Sequence, residues 1–362
     1  MNDTPFFSFP PGPNARWQQQ AQRELKGTDP AALRWTAPGS DLTFEPYYTA
    51  DDLRDVPSGA IQAAQKAVPG WENRVRIDTA ELRTAQEQAR AALAAGADGL
   101  AFGIPDEATD LPRLLHGIRL SDTPAAFALA GGVGPLAFLD ALRRATGYPP
   151  KGSLRAPEVP VAEVLRHTAD APGFRPLTVS EAEGQSVPES LAAVLGRVVG
   201  YLDVATEAGF APEDVVSKLE IDLTASGDYF LNLAKVRALR FLLAQVQRAY
   251  GIGQPVPVFV HVTVTEMGTP DRAPEAEDLV RATLGTLAVL AAGCDAVTVV
   301  ARPLESAGTS ARLSRNIPLV LKEEAYLAAV ADPAAGSYFL ETLTWELARA
   351  AWASFLTLHT TH

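Results

Sequence analysis

Residues 79–105 read TAELRTAQEQARAALAAGADGLAFGIP. Thr79 precedes an Ala/Leu/Glu/Arg run over 80–95 that Gly96 closes, the punctuation of a helix with glycine just past its end. Gly99–Pro105 follows as an apolar stretch too short for a helix and suited to a buried strand. The alternation continues toward the C-terminus. Apolar runs at Ala125–Gly132, Gly152–Val159, Phe174–Glu181, Lys218–Ala225, Pro257–Thr265, Asp295–Arg302 and Glu324–Asp332 are mostly separated by helical patterns, clearest at 134–146, 188–208, 228–250, 275–293 and 338–356. Strands alternating with helices predict βαβ units and a parallel sheet. With Gly99–Pro105 the strands number eight, which closes a (β/α)8 barrel. A doubly wound open sheet is the alternative, but no GxGxxG follows an early strand. The expected fold class is therefore α/β, a (β/α)8 TIM-type barrel with an N-terminal extension.

The extension reads differently. Residues 1–16 are rich in proline and carry Phe6, Phe7 and Phe9, a composition suited to an arm docked on another surface. Trp17–Lys26 reads as a short helix ending at Gly27, and 28–75 mixes turn signals with Trp35, Phe44, Tyr47, Tyr48 and Trp71. The division expected is 1–78 for arm and extension, and 79–362 for the barrel. Hydrophobic residues make up 47% of the 362, enough for a large core. Lys+Arg is 31 and Asp+Glu is 43, a formal net charge of −12, which speaks against a nucleic-acid binder but leaves room for a local basic pocket. The single Cys294 excludes an internal disulfide. The histidines (His116, His167, His261, His359, His362) show no HxxxH spacing, so a zinc site is unsupported. No apolar run reaches the roughly 18 residues of a membrane span. The N-terminus lacks the charged and apolar regions of a secretory signal. A cytoplasmic protein is the default.

In a barrel, chemistry sits at the C-terminal strand ends. Gly131-Gly132-Val133-Gly134 offers close backbone approach to a ligand, although a tight turn before a helix explains it better. Thr178-Val179-Ser180-Glu181 holds no obvious nucleophile–base pair. In the helix after the fifth strand, Arg237 shares a face with Phe230, Leu233 and Phe241, beside Lys235 and Arg240. An arginine among core residues requires an acidic or phosphate partner, either a salt bridge to a neighbouring helix or a ligand. The sixth strand turns either Val258, Val260 and Val262 or Phe259, His261 and Thr263 inward. In the second arrangement His261 either donates to a substrate carbonyl or is a satisfied structural histidine.

Three ordered stretches resemble the methylmalonyl-CoA mutase family. Residues 228–240, DYFLNLAKVRALR, resemble its NFFxE[IV]AKLRAAR helix. SRNIPLVLKEE at 314–324 resembles ARNTQLILKEE, and ADPAAGSYFLETLT at 331–344 resembles DPAAGSYYVEALT, continued by Ala350-Ala351-Trp352. Trp17, Leu25-Lys26-Gly27, Trp35 and Pro46-Tyr47-Tyr48-Thr49 are similar to the opening of the family's small subunits. The resemblance implies a barrel threaded along its axis by an acyl-CoA, with adenosylcobalamin, carried on a separate domain, over the mouth for a radical rearrangement. It also shows what this chain has altered. No DxHxxG cobalamin signature occurs, and the chain ends just after the last barrel helix, so a cobalamin-binding domain is expected to be absent. Where active members have SISGYHxxEAGA, residues 177–186 read LTVSEAEGQS, without Tyr or His. Gly152–Pro157 replaces GTIQND, Val75–Asp78 stands at the place of TRPWT, and Pro318 holds the glutamine position of ARNTQL. The resemblance thus implies a small, degenerate subunit whose arm at 1–16, with Phe6, Phe7 and Phe9, embraces a large subunit in a heterodimer. Two alternatives are a barrel active with a separate cobalamin-binding subunit, and a vestigial acyl-CoA binder in which Lys235, Arg237, His261 and Asn316 hold the ligand.

Overall fold

Eight parallel staves carry the structure: Glu72–Ile77 (β1), Gly99–Ile104 (β2), Ala125–Leu129 (β3), Gly152–Arg155 (β4), Phe174–Arg175 with Leu177–Ser180 (β5, in two pieces), Leu219–Ala225 (β6), Phe259–Val264 (β7) and Ala296–Val299 (β8). The computed structural model describes residues 14–26, 28–38, 40–182, 184–225, 227–265, 275–300 and 307–360. Each stave pairs with the next, and β8 returns to β1, with Ala296 opposite Glu72 and Val297 opposite Asn73. Pro176 divides β5 because it has no N–H to give to a ladder. The first piece pairs with β4 and the second with β6, so the sheet closes on itself. The expected α/β barrel is what forms.

Two strand assignments change. Glu72–Ile77, inside the stretch expected as extension, is the first stave, so the barrel begins before residue 79. Its inward charges Glu72, Arg74 and Arg76 break the apolar run that a buried strand ordinarily shows. Glu324–Asp332 is not a strand: Leu327–Ala329 forms a 3-10 turn, with Tyr326 74% and Val330 57% exposed. A closed barrel has no edge left to receive it.

The helices are α1 (Asn14–Glu24), α2 (Ser58–Ala63), α3 (Leu82–Ala94), α4 (Leu111–Leu114), α5 (Pro135–Thr146), α6 (Val161–His167), α7 (Val187–Glu207), α8 (Pro212–Ser217), α9 (Tyr229–Ala249), α10 (Glu275–Ala291), α11 (Ala307–Glu323) and α12 (Tyr338–Thr360). Alternate stave residues point outward into the core, among them Leu100, Phe102, Phe127, Ile221, Leu223, Val260 and Val262, all buried. Each such side chain contributes about 1.5–3 kcal/mol on burial. Phe102, Phe127 and Phe138 form one ring series with centroids 5.8 and 5.2 Å apart. Helix α9 is buried almost all round, because the staves cover one side and α7, α10 and α12 the others. At the start of β4, Gly152 has φ +137°, and a Cβ there would lie 1.8 Å from the carbonyl oxygen of Ala125, so only glycine fits.

The N-terminal extension is ordered against the barrel. Trp35–Thr36 pairs with Thr43–Phe44 in a short antiparallel hairpin. Phe339 in the first turn of α12 touches Trp35, Phe44, Tyr48 and Phe230, with centroids 5.2–6.4 Å away. Gln62 of α2 donates to Glu341 at 2.9 Å. Phe6, Phe7 and Phe9 lie outside the described residues. No described helix is long and apolar enough to cross a membrane.

Candidate functional site

The inward side chains of the staves are largely polar, and they tie to one another across the lumen in two layers. The lower layer centres on Arg74 of β1, whose side chain is 1% exposed. Its Nη1 donates to Oε1 of Glu220 on β6 at 2.7 Å, and its Nη2 to Glu72 Oε2 at 3.3 Å. From β1 to β6 is three steps round the wall, so this pair is a chord through the barrel. Arg175 of β5 stacks over the Phe259 ring of β7, its Cζ 3.8 Å from the centroid. Burial pushes the Glu220 carboxyl up, but the charge and hydrogen bond of Arg74 outweigh it and hold the group below the usual carboxylate range. Burial dominates at Glu72, which lies above that range despite Arg74. Burial also lowers Arg175, which stands among these charges.

The upper layer settles the face of β7: Phe259, His261 and Thr263 point inward. His261 Nδ1 lies 2.8 Å from Asp222 Oδ1, and its Nε2 lies 2.8 Å from Thr298 Oγ1. Asp222 Oδ2 accepts from Arg155 Nη1 at 2.9 Å. Burial raises Asp222, but the bond to His261, the His261 charge and Arg155 together hold it low. Carboxylate, imidazole and hydroxyl stand in the order of an acid–base relay. Thr298 is only 4% exposed, and Asp222 is also held by Arg155, so the relay fixes the layer and presents no nucleophile.

Above these layers the lumen opens into a cavity of about 680 Å³. One wall is small residues, Ala101, Gly103, Ala126 and Ala128, with Arg155 beside Ala128; the opposite wall includes Thr224 and Thr263. A recess of about 600 Å³ joins it between β1, β8 and α11, sharing Arg76 and Val300. Helix α11 is fixed there by Asn73, whose Nδ2 donates to the Arg315 carbonyl at 2.9 Å. In the Gly131–Gly134 turn, Glu107 Oε1 accepts from Gly134 N at 3.0 Å, so the chain's own carboxylate fills the place an anion would take at the start of α5.

The expected site residues are dispersed. Lys235 lines the cavity rim, 4% exposed, where its Nζ pairs with Glu181 and donates to the Thr224 carbonyl at 3.0 Å. Burial lowers its pKa, with Glu181 opposing. His261 faces the lumen with both ring nitrogens engaged. Arg237 points away from the lumen and is bound by Asp332 and, at 3.0 Å, by Glu341. Asn316 lies on α11 beside Arg315, 3.5 Å from its Nη2, and lines neither cavity. Among the described residues no three His, Cys, Asp or Glu side chains are placed to hold a metal ion. Sequence reasoning passed over Arg74, Arg155, Glu220 and Asp222. For Arg74, Glu220 and Asp222 the signal was charge at every second position in ENRVRI and LEIDLTA, which marks a strand with a polar inner face; Arg155, at the end of GSLR, carried none.

A family profile described as methylmalonyl-CoA mutase matches residues 140–361. The methylmalonyl-CoA mutase small subunit of Streptomyces virginiae is 30% identical over 96% of this chain and 63% of its own length. That of Porphyromonas gingivalis is 26% identical over 98% of this chain and 64% of its own. A probable methylmalonyl-CoA mutase small subunit of Mycobacterium bovis is 33% identical over 84% of this chain and 53% of its own. The chain thus spans less than two thirds of the length of these relatives.

Proposed function

The chain belongs to the methylmalonyl-CoA mutase family, and on that premise we propose that it is a small, catalytically degenerate subunit that supports a large subunit and does not itself isomerise methylmalonyl-CoA. The observation behind this reading is the filled axis. An acyl-CoA threaded through the barrel would have to displace the Arg74–Glu220 chord and the Arg175–Phe259 stack. Separating a buried ion pair leaves an uncompensated charge, at a cost of about 3–5 kcal/mol. The residues that remain at the rim, Lys235 and His261, spend their donors on Glu181, Asp222 and Thr298.

Adenosylcobalamin is the group implied by the resemblance, and the residues present do not fit it. Cobalt takes an imidazole nitrogen, and no described histidine offers one at the mouth. His261 has both nitrogens bonded, His167 lies on the outer surface with Nε2 3.2 Å from Asp140, and His116 is exposed beside α4. The proposal therefore places cobalamin and substrate on the partner, with the arm at residues 1–16 as one means of holding it. A cytoplasmic assembly is the setting proposed.

Co-expression with a methylmalonyl-CoA mutase large subunit tests the reading. One-to-one co-elution is expected, weakened by removing residues 1–16. A chain that stays monomeric beside the large subunit would overturn it.

A further inference from the structure

The charges at the mouth do not all cancel. Arg74 has Glu220 and Glu72, Arg155 has Asp222, and Lys235 has Glu181. Arg76 on β1 and Arg315 on α11 line the same recess, and neither has a carboxylate within salt-bridge distance among the described residues. The Nε of Arg315 is buried without an acceptor, and among the described residues its side chain makes one hydrogen bond, the 3.5 Å contact to Asn316. Holding this guanidinium over the recess is a built feature: Asn73 clamps the Arg315 carbonyl, Asp98 accepts from Asn73 N at 2.9 Å, and Lys322 reaches Asp98 at 3.4 Å. A partly buried arginine with no acceptor is costly unless something supplies one. The α5 turn offers the contrast: Glu107 occupies that position, whereas among the described residues no carboxylate pairs with Arg76 or Arg315.

We propose that the recess between Arg76 and Arg315 binds a small free oxyanion, a carboxylate or a phosphate, in the planar fork geometry that guanidinium groups offer. The closed axis argues for a free ligand: the recess ends below at Arg74 and Glu220, so a long pantetheine arm has no path through the barrel. Asp78 also lines the recess and opposes the anion; its Oδ1 is engaged by Ala80 N at 3.0 Å. Among the described residues, Arg76 and Arg315 against Asp78, with Arg74 neutralised by its own carboxylates, leave the recess cationic within a chain of net charge −12. The proposal stands on this pairing of charges. Failure to bind an anion leaves the partner-subunit reading intact, and failure to join a large subunit leaves this one intact.

Calorimetric titration of the full chain with inorganic phosphate and with succinate, at low ionic strength, is the test. Saturable binding with a dissociation constant at or below about 1 mM is expected for one of the two, and the tighter one assigns the chemistry. Arg76→Gln and Arg315→Gln each weaken it roughly ten-fold or more, the value of a charge-assisted hydrogen bond. Asp78→Asn keeps its oxygen for Ala80 and removes the opposing charge, so it tightens binding, a gain that damaged folding does not produce. Arg143→Gln, on the outer surface beside Asp170, leaves binding unchanged. No saturable binding up to about 10 mM with either probe, or equal affinity in wild type and both arginine variants, overturns the proposal.

Discussion

Replacing Glu220 with glutamine removes the nearer of the two carboxylates that hold Arg74. The 2.7 Å partner is lost while Glu72 at 3.3 Å remains, and the side chains of Arg74 and Glu220 are 1% and 3% exposed. Removing one member of a buried pair costs about 3–5 kcal/mol, and the lower end applies because Glu72 stays and glutamine keeps an acceptor. Globular proteins unfold with about 2.1 cal/mol/K of entropy per residue, so about 3 kcal/mol corresponds to a melting temperature lower by about 4 °C for 362 residues. Arg74→Met leaves Glu220 and Glu72 facing each other and costs at least as much. The double variant Arg74→Met/Glu220→Leu removes charge and counter-charge together and fills the lumen with apolar volume. It is expected to melt within about 1–2 °C of wild type, since such replacements are often neutral. Calorimetric melts of wild type, Arg74→Met, Glu220→Leu and the double variant close the cycle and give the coupling directly. A double variant destabilised by the sum of the two singles would show that the pair is not one unit, and the idea of a plug held across the axis would fail.

Other consequences can be measured alongside. Gly152→Ala forces a Cβ into the Ala125 carbonyl and should abolish soluble expression or lower the melting temperature by several degrees; an unperturbed melt would refute the required close approach. Glu220, Asp222 and Asp295 titrate below their ordinary values, Asp295 chiefly because Arg240 and Lys66 outweigh its burial. Their stabilisation is complete above the ordinary carboxylate range and lost as pH falls through the lower folded values. Glu72 is raised and works the other way, being stabilising only in acid. With three groups against one, the urea midpoint should drop below about pH 4, and Asp222→Asn should shrink the drop. Arg237→Met strands Asp332 and the fully buried Glu341, so a loss of about 3–5 kcal/mol is expected with anion binding at the mouth unchanged. A weakened anion would move Arg237 back into the site.

Outward-facing sequence was readable and lumen-facing sequence was not. The staves around Phe102, Ile221 and Val260 announce themselves because their outer residues meet helices and form apolar runs. Glu72–Ile77 escaped because Glu72, Arg74 and Arg76 face the lumen, and a polar interior gives a strand the look of a surface segment. The two faces of Pro257–Thr265 were equivalent by alternation alone. His261 is fixed inward by Asp222 and Thr298, 39 and 37 residues away, and no local pattern carries that information. Arg237 gave the right demand, an acidic partner, but its partners are Asp332 and Glu341, some 100 residues downstream. The altered family motifs pointed toward lost chemistry, whereas the cross-lumen pairs that occupy the space appear only once the barrel closes.

The most direct measurement is the number of acyl-CoA molecules bound per pair of subunits. Labelled succinyl-CoA is dialysed to equilibrium against the chain alone and against the chain joined to a methylmalonyl-CoA mutase large subunit. A closed axis predicts none on the chain alone and one per pair. Two per pair, or one on the isolated chain, would contradict it.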